Sequence, residues 1–300
     1  MRLSFPADLF IVSYPSKMME EPIIIFQHIP KTAGTTLRYI IQYQFPPSAI
    51  CELYGSSGSP AQRIAKLQSL SKLQQQKIKI INTHVGFGLH DYLQQPCRYI
   101  TFLREPVQRA VSMYYYFQKT KNPQFVELSL EEFVRTYPGV QNGMTKNLSG
   151  IVLQTQLGTA EADRELVCDR SSLEIARANL QQHFKFVGIS ERFDESLLLL
   201  RQILGWKIPL FDKSNTSKKP QSIDRQILKY IERQNELDLQ LYESATATFE
   251  ELIAKQEFAF EREVAKFHKV NQSLTRKFYY RANTFYNRAI NRIYKELAQS

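Results

Sequence analysis

No run of this 300-residue sequence approaches the roughly 20 consecutive apolar residues that a membrane-spanning helix needs. The N-terminus, MRLSFPADLFIVSYPSKMMEEP, has a short apolar patch from Leu9 to Val12 but not the long apolar core of a signal peptide. A loose arm over residues 1–21 and a cytoplasmic protein are therefore expected. Cysteine is scarce. Cys51, Cys97 and Cys168 are odd in number and far apart, and no CxxC pair suggests zinc or a redox motif. Free thiols in a reducing compartment, with no structural disulfide, are the simplest expectation. Acidic residues are the minority charge, 29 against 39 Lys and Arg, for a net charge of +10. Such an excess attracts phosphates, sulfates, polyanions or anionic lipid, which is a statement about partners and not about fold. With 43% hydrophobic residues and 12% aromatics the chain can bury a sizeable core, and its composition excludes a disordered protein.

Hydrophobic patterning organises the middle of the chain. Ile23 to Phe26 is a short β-branched apolar run before a Pro/Gly-punctuated loop, which predicts a strand buried on both faces. Leu37, Ile40, Ile41 and Phe45 recur at helical spacing until Pro46-Pro47 stops the helix. Residues 51–60 read as loop, and 61–75 as one polar amphipathic helix with Ile64, Leu67 and Leu70 inward. Strands are predicted at 77–83, 98–103 and 184–188, and helices at 106–118, 130–136, 173–183, 193–204 and, with breaks, from 222 onward. Residues 142–150 are polar and Gly-bounded, residues 152–169 are ambiguous, and residues 209–220 form a loop. Strands separated by helices predict an α/β fold: a P-loop-like, three-layer arrangement of a central parallel sheet flanked by helices, with a helical C-terminal extension. The expected organisation is an arm (1–21), one catalytic domain (22–258) and a basic aromatic helical extension (259–300).

The loop after the first strand runs into a helix N-terminus, where unpaired backbone N–H groups and the helix dipole attract anions. Gly34 lets the backbone approach a ligand, Thr35 and Thr36 can add hydroxyl donors, and Lys31 puts a cation beside the loop. The loop departs from the triphosphate pattern GxxxxGK[ST]: Thr35 stands where the lysine belongs, and the lysine has moved ahead of the glycine to Lys31. The strand over 98–103 ends in Arg104, where a Walker-type Asp would serve Mg²⁺. A ligand with one 5′-phosphate-type group and no metal fits better than ATP. Arg104 reaches the carboxyl end of the sheet, where ligands of open α/β sheets bind, and Ser112 follows on the next helix. An Arg and a Ser so spaced can hold one phosphate from two directions.

HIPKTAGTTL (28–37) together with YITFLREPVQRAVSMYYYF (99–117) resembles the carbohydrate sulfotransferases of the heparan sulfate 2-O-sulfotransferase type, grouped as sulfotransferase family 2. NGMTKNLSG (142–150), with Lys146 in place of the usual Arg, and VGISERFDES (187–196) are similar to two further segments of that family. The resemblance covers about residues 23–254. It implies 3′-phosphoadenosine 5′-phosphosulfate (PAPS) as donor and a hydroxyl acceptor, of a glycan above all. It assigns Lys31 to the bridging and leaving oxygens of the phosphosulfate, and Ala33, Gly34, Thr35 and Thr36 to the 5′-phosphate. Arg104 and Ser112 are assigned to the 3′-phosphate, and Lys218 or Lys219 to a loop over the nucleotide. No metal ion and no nucleic-acid partner are expected.

Sulfuryl transfer to an alcohol needs a base for the hydroxyl proton, and His suits that work near neutral pH. His84 ends a predicted strand at the same sheet edge as Lys31 and Arg104, and THVGF resembles the family's GHV segment, whose His is the proposed base. Some members carry another His where this sequence has Asn82. His28 is expected to pack near the site, His90 is the backup base, and His183 and His268 read as surface or core residues.

From Lys266 to Lys295 the chain has eight Lys or Arg and no Asp or Glu, with aromatics interleaved. Packing on the catalytic domain is the first reading of this tail. Peripheral contact with an anionic membrane, or with a polyanion or partner chain, are the others. For the whole protein, two alternatives stand beside the sulfotransferase: a P-loop-type nucleotide kinase or phosphotransferase, which the displaced lysine disfavours, and a non-catalytic polyanion- or membrane-binding protein on the same fold.

Overall fold

The computed structural model describes residues 21–54, 59–157, 168–211, 223–256 and 259–272. Ile23–Gln27 forms β1, and all five of its residues are buried, as a strand covered on both faces requires. It lies at the centre of a five-stranded sheet of order β2-β3-β1-β4-β5, in which β2 is Ile50–Leu53, β3 Ile80–Thr83, β4 Cys97–Leu103 and β5 Phe184–Ile189. Every pairing is parallel. The expected α/β architecture with a central parallel sheet is present.

Side chains of successive strand residues point to opposite faces. Ile24, Phe26, Ile80, Ile100 and Phe102 face one core, closed by Leu37, Ile40 and Ile41 of α1 (Gly34–Gln44), Leu173 and Ala176 of α8 (Arg170–His183), and Leu197 to Leu200 of α9 (Phe193–Leu204). Ile23, Ile25, Ile81 and Tyr99 face a second core against α2 (Pro60–Gln68) and Leu153 of α7 (Ile151–Leu157). A third cluster joins Ala110 and Met113 of α4 (Pro106–Lys119), Phe133 and Val134 of α5 (Leu130–Thr136), and Ile231 of α10 (Arg225–Gln234).

Two expectations are corrected. The segment read as loop from residue 51 begins with the tail of an edge strand, β2, paired with β3. Its four residues ICEL alternate too briefly to signal a strand, and their pairing comes from the backbone of β3. The single helix expected over 61–75 is two, α2 and α3 (Lys72–Lys77), because Ser71 starts a second capping box with Gln74, as Ser59 does with Gln62. Each Ser accepts from the N3 backbone N–H while the Gln returns to the Ser backbone, so each marks a helix start.

Of the expected extension, residues 259–272 form α12 (Ala259–Gln272), which packs on the main core through Phe260 and Phe267. Arg201 to Glu263 at 2.8 Å and His268 to Asp194 at 2.7 Å tie α12 to α9. Residues 273–300, most of the arm (1–20), and Lys218 and Lys219 lie outside the described residues. No helix among the described residues is long and apolar enough to cross a membrane.

Candidate active site

The connection from β1 to α1 is shaped by two non-glycine residues in the left-handed region, Lys31 at φ 73° and Ala33 at φ 65°. Such conformations cost energy and persist where the surroundings hold them. Here His28 N–H donates to the Thr83 carbonyl (2.8 Å), Thr32 Oγ1 donates to the Ile29 carbonyl (2.9 Å) and Arg104 Nη1 donates to the Lys31 carbonyl (3.2 Å). Ala33 is the N-cap of α1, and no side chain caps that helix. Its first N–H groups are thus left for a ligand at the positive end of the helix dipole. Gly34 has a different local reason from the one expected. A Cβ there would fall inside the imidazole of His28, so the glycine makes room for that ring.

The second motif meets the first through Arg104. Pro106 opens α4, and Glu105 caps it by accepting from the Val107 and Gln108 N–H groups. Arg104, one residue earlier, lies beside the Lys31 loop and 3.9 Å from Glu191, which also accepts from the Tyr242 hydroxyl and the Glu105 N–H. Burial pulls the Arg104 guanidinium below its ordinary range, while Glu191 acts in the opposite sense. The Lys31 ammonium sits 4.4 Å from the centre of the Tyr116 ring. Burial first, then the charges of Arg104 and Lys119, lower it to about 8. Two cations held together and partly stripped of water are short of negative charge. Ser112 is buried on α4, one helical turn before Tyr116.

The carboxyl ends of β2, β3 and β1 deliver Tyr54, His84 and His28 side by side. The His84 ring lies 4.4 Å from the ring of His28 and 4.3 Å from that of Tyr54. His84 Nδ1 is 2.8 Å from the His28 carbonyl. A carbonyl only accepts, so Nδ1 carries the proton and Nε2 keeps a lone pair. Burial lowers the pKa of His84, against the smaller opposite pull of that hydrogen bond, and keeps it neutral near pH 7. His28 is more deeply buried, and burial followed by His84 holds it well below the usual range. Its Nδ1 is 2.7 Å from the Tyr54 hydroxyl.

Two residues next to this cluster, Glu52 and Arg38, gave no signal in the sequence, and Asn82 stood out only as the position where some family members carry another His. Parallel register sets Glu52 opposite Asn82. Asn82 Nδ2 donates to Glu52 Oε1 (3.1 Å), Arg38 Nε donates to Glu52 Oε2 (3.0 Å), and the Arg38 guanidinium lies 4.7 Å from the Tyr54 ring centre. Polar residues on a four-residue edge strand become legible only once β2 is paired.

Other motif residues turn out to be scaffold. Arg109, five residues after Arg104, is fully buried against Asp238 at 3.5 Å and donates to the Val140 carbonyl. Asp238, on α11 (Glu236–Ala254), accepts from the Met144 and Thr145 N–H groups and the Thr145 hydroxyl, at the start of α6 (Gly143–Leu148). Gly143 leaves space for the Arg109 guanidinium, which a Cβ would meet at 2.7 Å. His90, the backup base, does not reach the site. It hydrogen-bonds the Tyr99 hydroxyl at 2.9 Å and packs on Phe87 and His183, beside the starts of β4 and β5. Lys218 and Lys219 lie outside the described residues.

Uncapped backbone donors, two desolvated cations and a neutral imidazole with an open lone pair can hold a polyanionic leaving group and take a proton from a hydroxyl. A family model described as galactose-3-O-sulfotransferase matches residues 5–292. Galactose-3-O-sulfotransferase 3 of Mus musculus is 31% identical over 60% of the chain and 44% of its own length. Galactose-3-O-sulfotransferase 2 of Sus scrofa is 28% identical over 58% and 46%, and that of Mus musculus 26% over 80% and 65%. The chain thus spans about half the length of the relatives it matches. A crystal structure of mouse sulfotransferase SULT7A1 complexed with PAP is similar at 15% identity and a TM-score of 0.37, covering 71% of this chain and 63% of that one. The family model and the galactose-3-O-sulfotransferase relatives support a carbohydrate sulfotransferase family, and they give no support to the narrower heparan sulfate 2-O-sulfotransferase likeness.

Proposed function

The chain belongs to the galactose-3-O-sulfotransferase family, and from that premise we propose that it transfers a sulfuryl group from PAPS to a hydroxyl of a galactose-containing carbohydrate. The observation that carries this reading is the Nδ1–carbonyl hydrogen bond of His84, which leaves Nε2 free at the sheet edge that also holds Lys31 and Arg104. His84 Nε2 takes the acceptor proton as the acceptor oxygen bonds to sulfur. The bond from sulfur to the 5′-phosphate oxygen breaks in line. Lys31, lifted from Tyr116, meets the charge that grows on the leaving phosphate. The backbone N–H groups at Gly34 and Thr35, with the hydroxyls of Thr35 and Thr36, hold the 5′-phosphate at the helix N-terminus. Arg104 and Ser112 hold the 3′-phosphate, and Glu191 keeps the guanidinium aimed. The products are a sulfate ester, adenosine 3′,5′-bisphosphate and a proton on His84.

Calorimetry with adenosine 3′,5′-bisphosphate in the absence of Mg²⁺ tests the donor half. Binding that disappears in Arg104→Ala is expected, and a preference for ATP with Mg²⁺ would sink the reading. The base is tested by His84→Ala, expected to bind the bisphosphate normally and transfer no sulfate.

A further inference from the structure

Sheet order decides from which side the acceptor must come. The phosphate loop follows central β1, and Arg104 follows β4 on one side of it. In-line displacement places the attacking oxygen opposite the leaving phosphate, so the acceptor approaches from the other side, over the ends of β3 and β2. His84 stands at that border.

Beyond His84 on that side lies the array of Asn82, Glu52, Arg38 and Tyr54. Asn82 is fully buried, and its amide holds one oxygen of Glu52 while Arg38 holds the other. The side chains of Glu52 and Arg38 nevertheless remain 31% and 36% exposed. A carboxylate has about four acceptor positions, of which these two bonds use two. Arg38 spends only Nε on Glu52 in this pair, which leaves its Nη groups as donors. A fixed acceptor beside fixed donors matches a sugar hydroxyl, which is itself both donor and acceptor.

We infer that Glu52 and Arg38 form the acceptor subsite, binding the 2- or the 4-hydroxyl of galactose, the two neighbours of the 3-hydroxyl that the family's description makes the attacking one. This inference rests on the proposed galactoside sulfotransfer. Glu52 is a specificity residue, and Asn82 and Tyr54 position it and Arg38.

The test compares wild type with Glu52→Gln at saturating donor, on a β-galactoside and on its 2-deoxy and 4-deoxy analogues, with bisphosphate affinity as the check on folding. Losing a charge-assisted hydrogen bond predicts a fall of about 10- to 100-fold in kcat/KM on the parent sugar, chiefly through KM. On the one deoxy acceptor that lacks the bound hydroxyl, the two proteins should converge to about twofold. Bisphosphate affinity should not change. Arg38→Lys repeats the cycle if Glu52→Gln fails to bind bisphosphate. An unchanged kcat/KM, or an equal loss on all three acceptors, would overturn the subsite while leaving the sulfotransferase reading intact. A wild-type protein that sulfates no galactoside would overturn both.

Discussion

The imidazole of His28 occupies the space that any side chain at Gly34 would need. One residue therefore joins the two halves of the site: its ring packs against the start of α1, where the 5′-phosphate is proposed to bind, and its carbonyl fixes the tautomer of His84. Gly34→Ala should force the His28 ring to shift. Overpacking of this kind costs about 1–3 kcal/mol, and His84 should lose its orientation with it. The expected outcome is a lower melting temperature and a larger fall in kcat than in bisphosphate affinity. Wild-type turnover in this variant would separate the glycine from the base.

The pH profile of kcat/KM should be a bell with unequal shoulders. Burial lowers the pKa of His84, so the base stays neutral, and activity should hold, to below pH 6.5. Lys31 titrates near 8, so activity should decline above about pH 8 as the cation is lost. A bound dianion raises the pKa of Lys31, so the alkaline limb of kcat should lie higher than that of kcat/KM. Steady-state rates from pH 5 to 10 would show both limbs.

Lys31 also has a cost in the free protein. Its folded value of about 8 lies below the ordinary 10.5, so the folded state gives up this proton more readily than the unfolded chain. The charge therefore weakens folding throughout the range below about pH 8, and the penalty fades between 8 and 10.5. Lys31→Met should raise the melting temperature at pH 7, with a gain that shrinks across that interval, while bisphosphate affinity falls. Thermal melts from pH 7 to 10.5 decide it, and a variant less stable at pH 7 would refute it.

Two arginines five positions apart should fail in opposite ways. Arg109→Met leaves buried Asp238 without its cation, a loss of about 3–5 kcal/mol in urea unfolding, with bisphosphate affinity of the folded protein close to wild type. Arg104→Ala should remove that affinity at a smaller cost in stability, since its Glu191 contact is long and partly exposed and its hold on the Lys31 loop is one bond of 3.2 Å.

Much of the frame was legible along the chain. Ile23 to Phe26 reads as a buried strand from its β-branched run between Pro22 and a Pro/Gly-punctuated loop, Leu37, Ile40 and Ile41 carry their helix by spacing, and Pro106 marks the start of another. The structure puts all three where expected and brings Lys31 against Arg104. What failed was short or long-range. β2 has four residues and an exposed edge, so its identity depends on a partner strand. The break between α2 and α3 was written in Ser71 and Gln74 but outweighed by the surrounding helical spacing.

By itself the sequence determined a strand, an anion-attracting loop and a helix start, followed by a second cationic motif, because periodicity, turn residues and charge act over a few neighbouring positions. Only the tertiary structure decided what Gly34 makes room for, which nitrogen of His84 is free, that Arg109 is a buried strut for Asp238, and that Glu52 and Arg38 stand in the array next to His84 and Tyr54. Those outcomes are set by parallel strand register and by burial, and both couple residues that sequence spacing leaves unrelated.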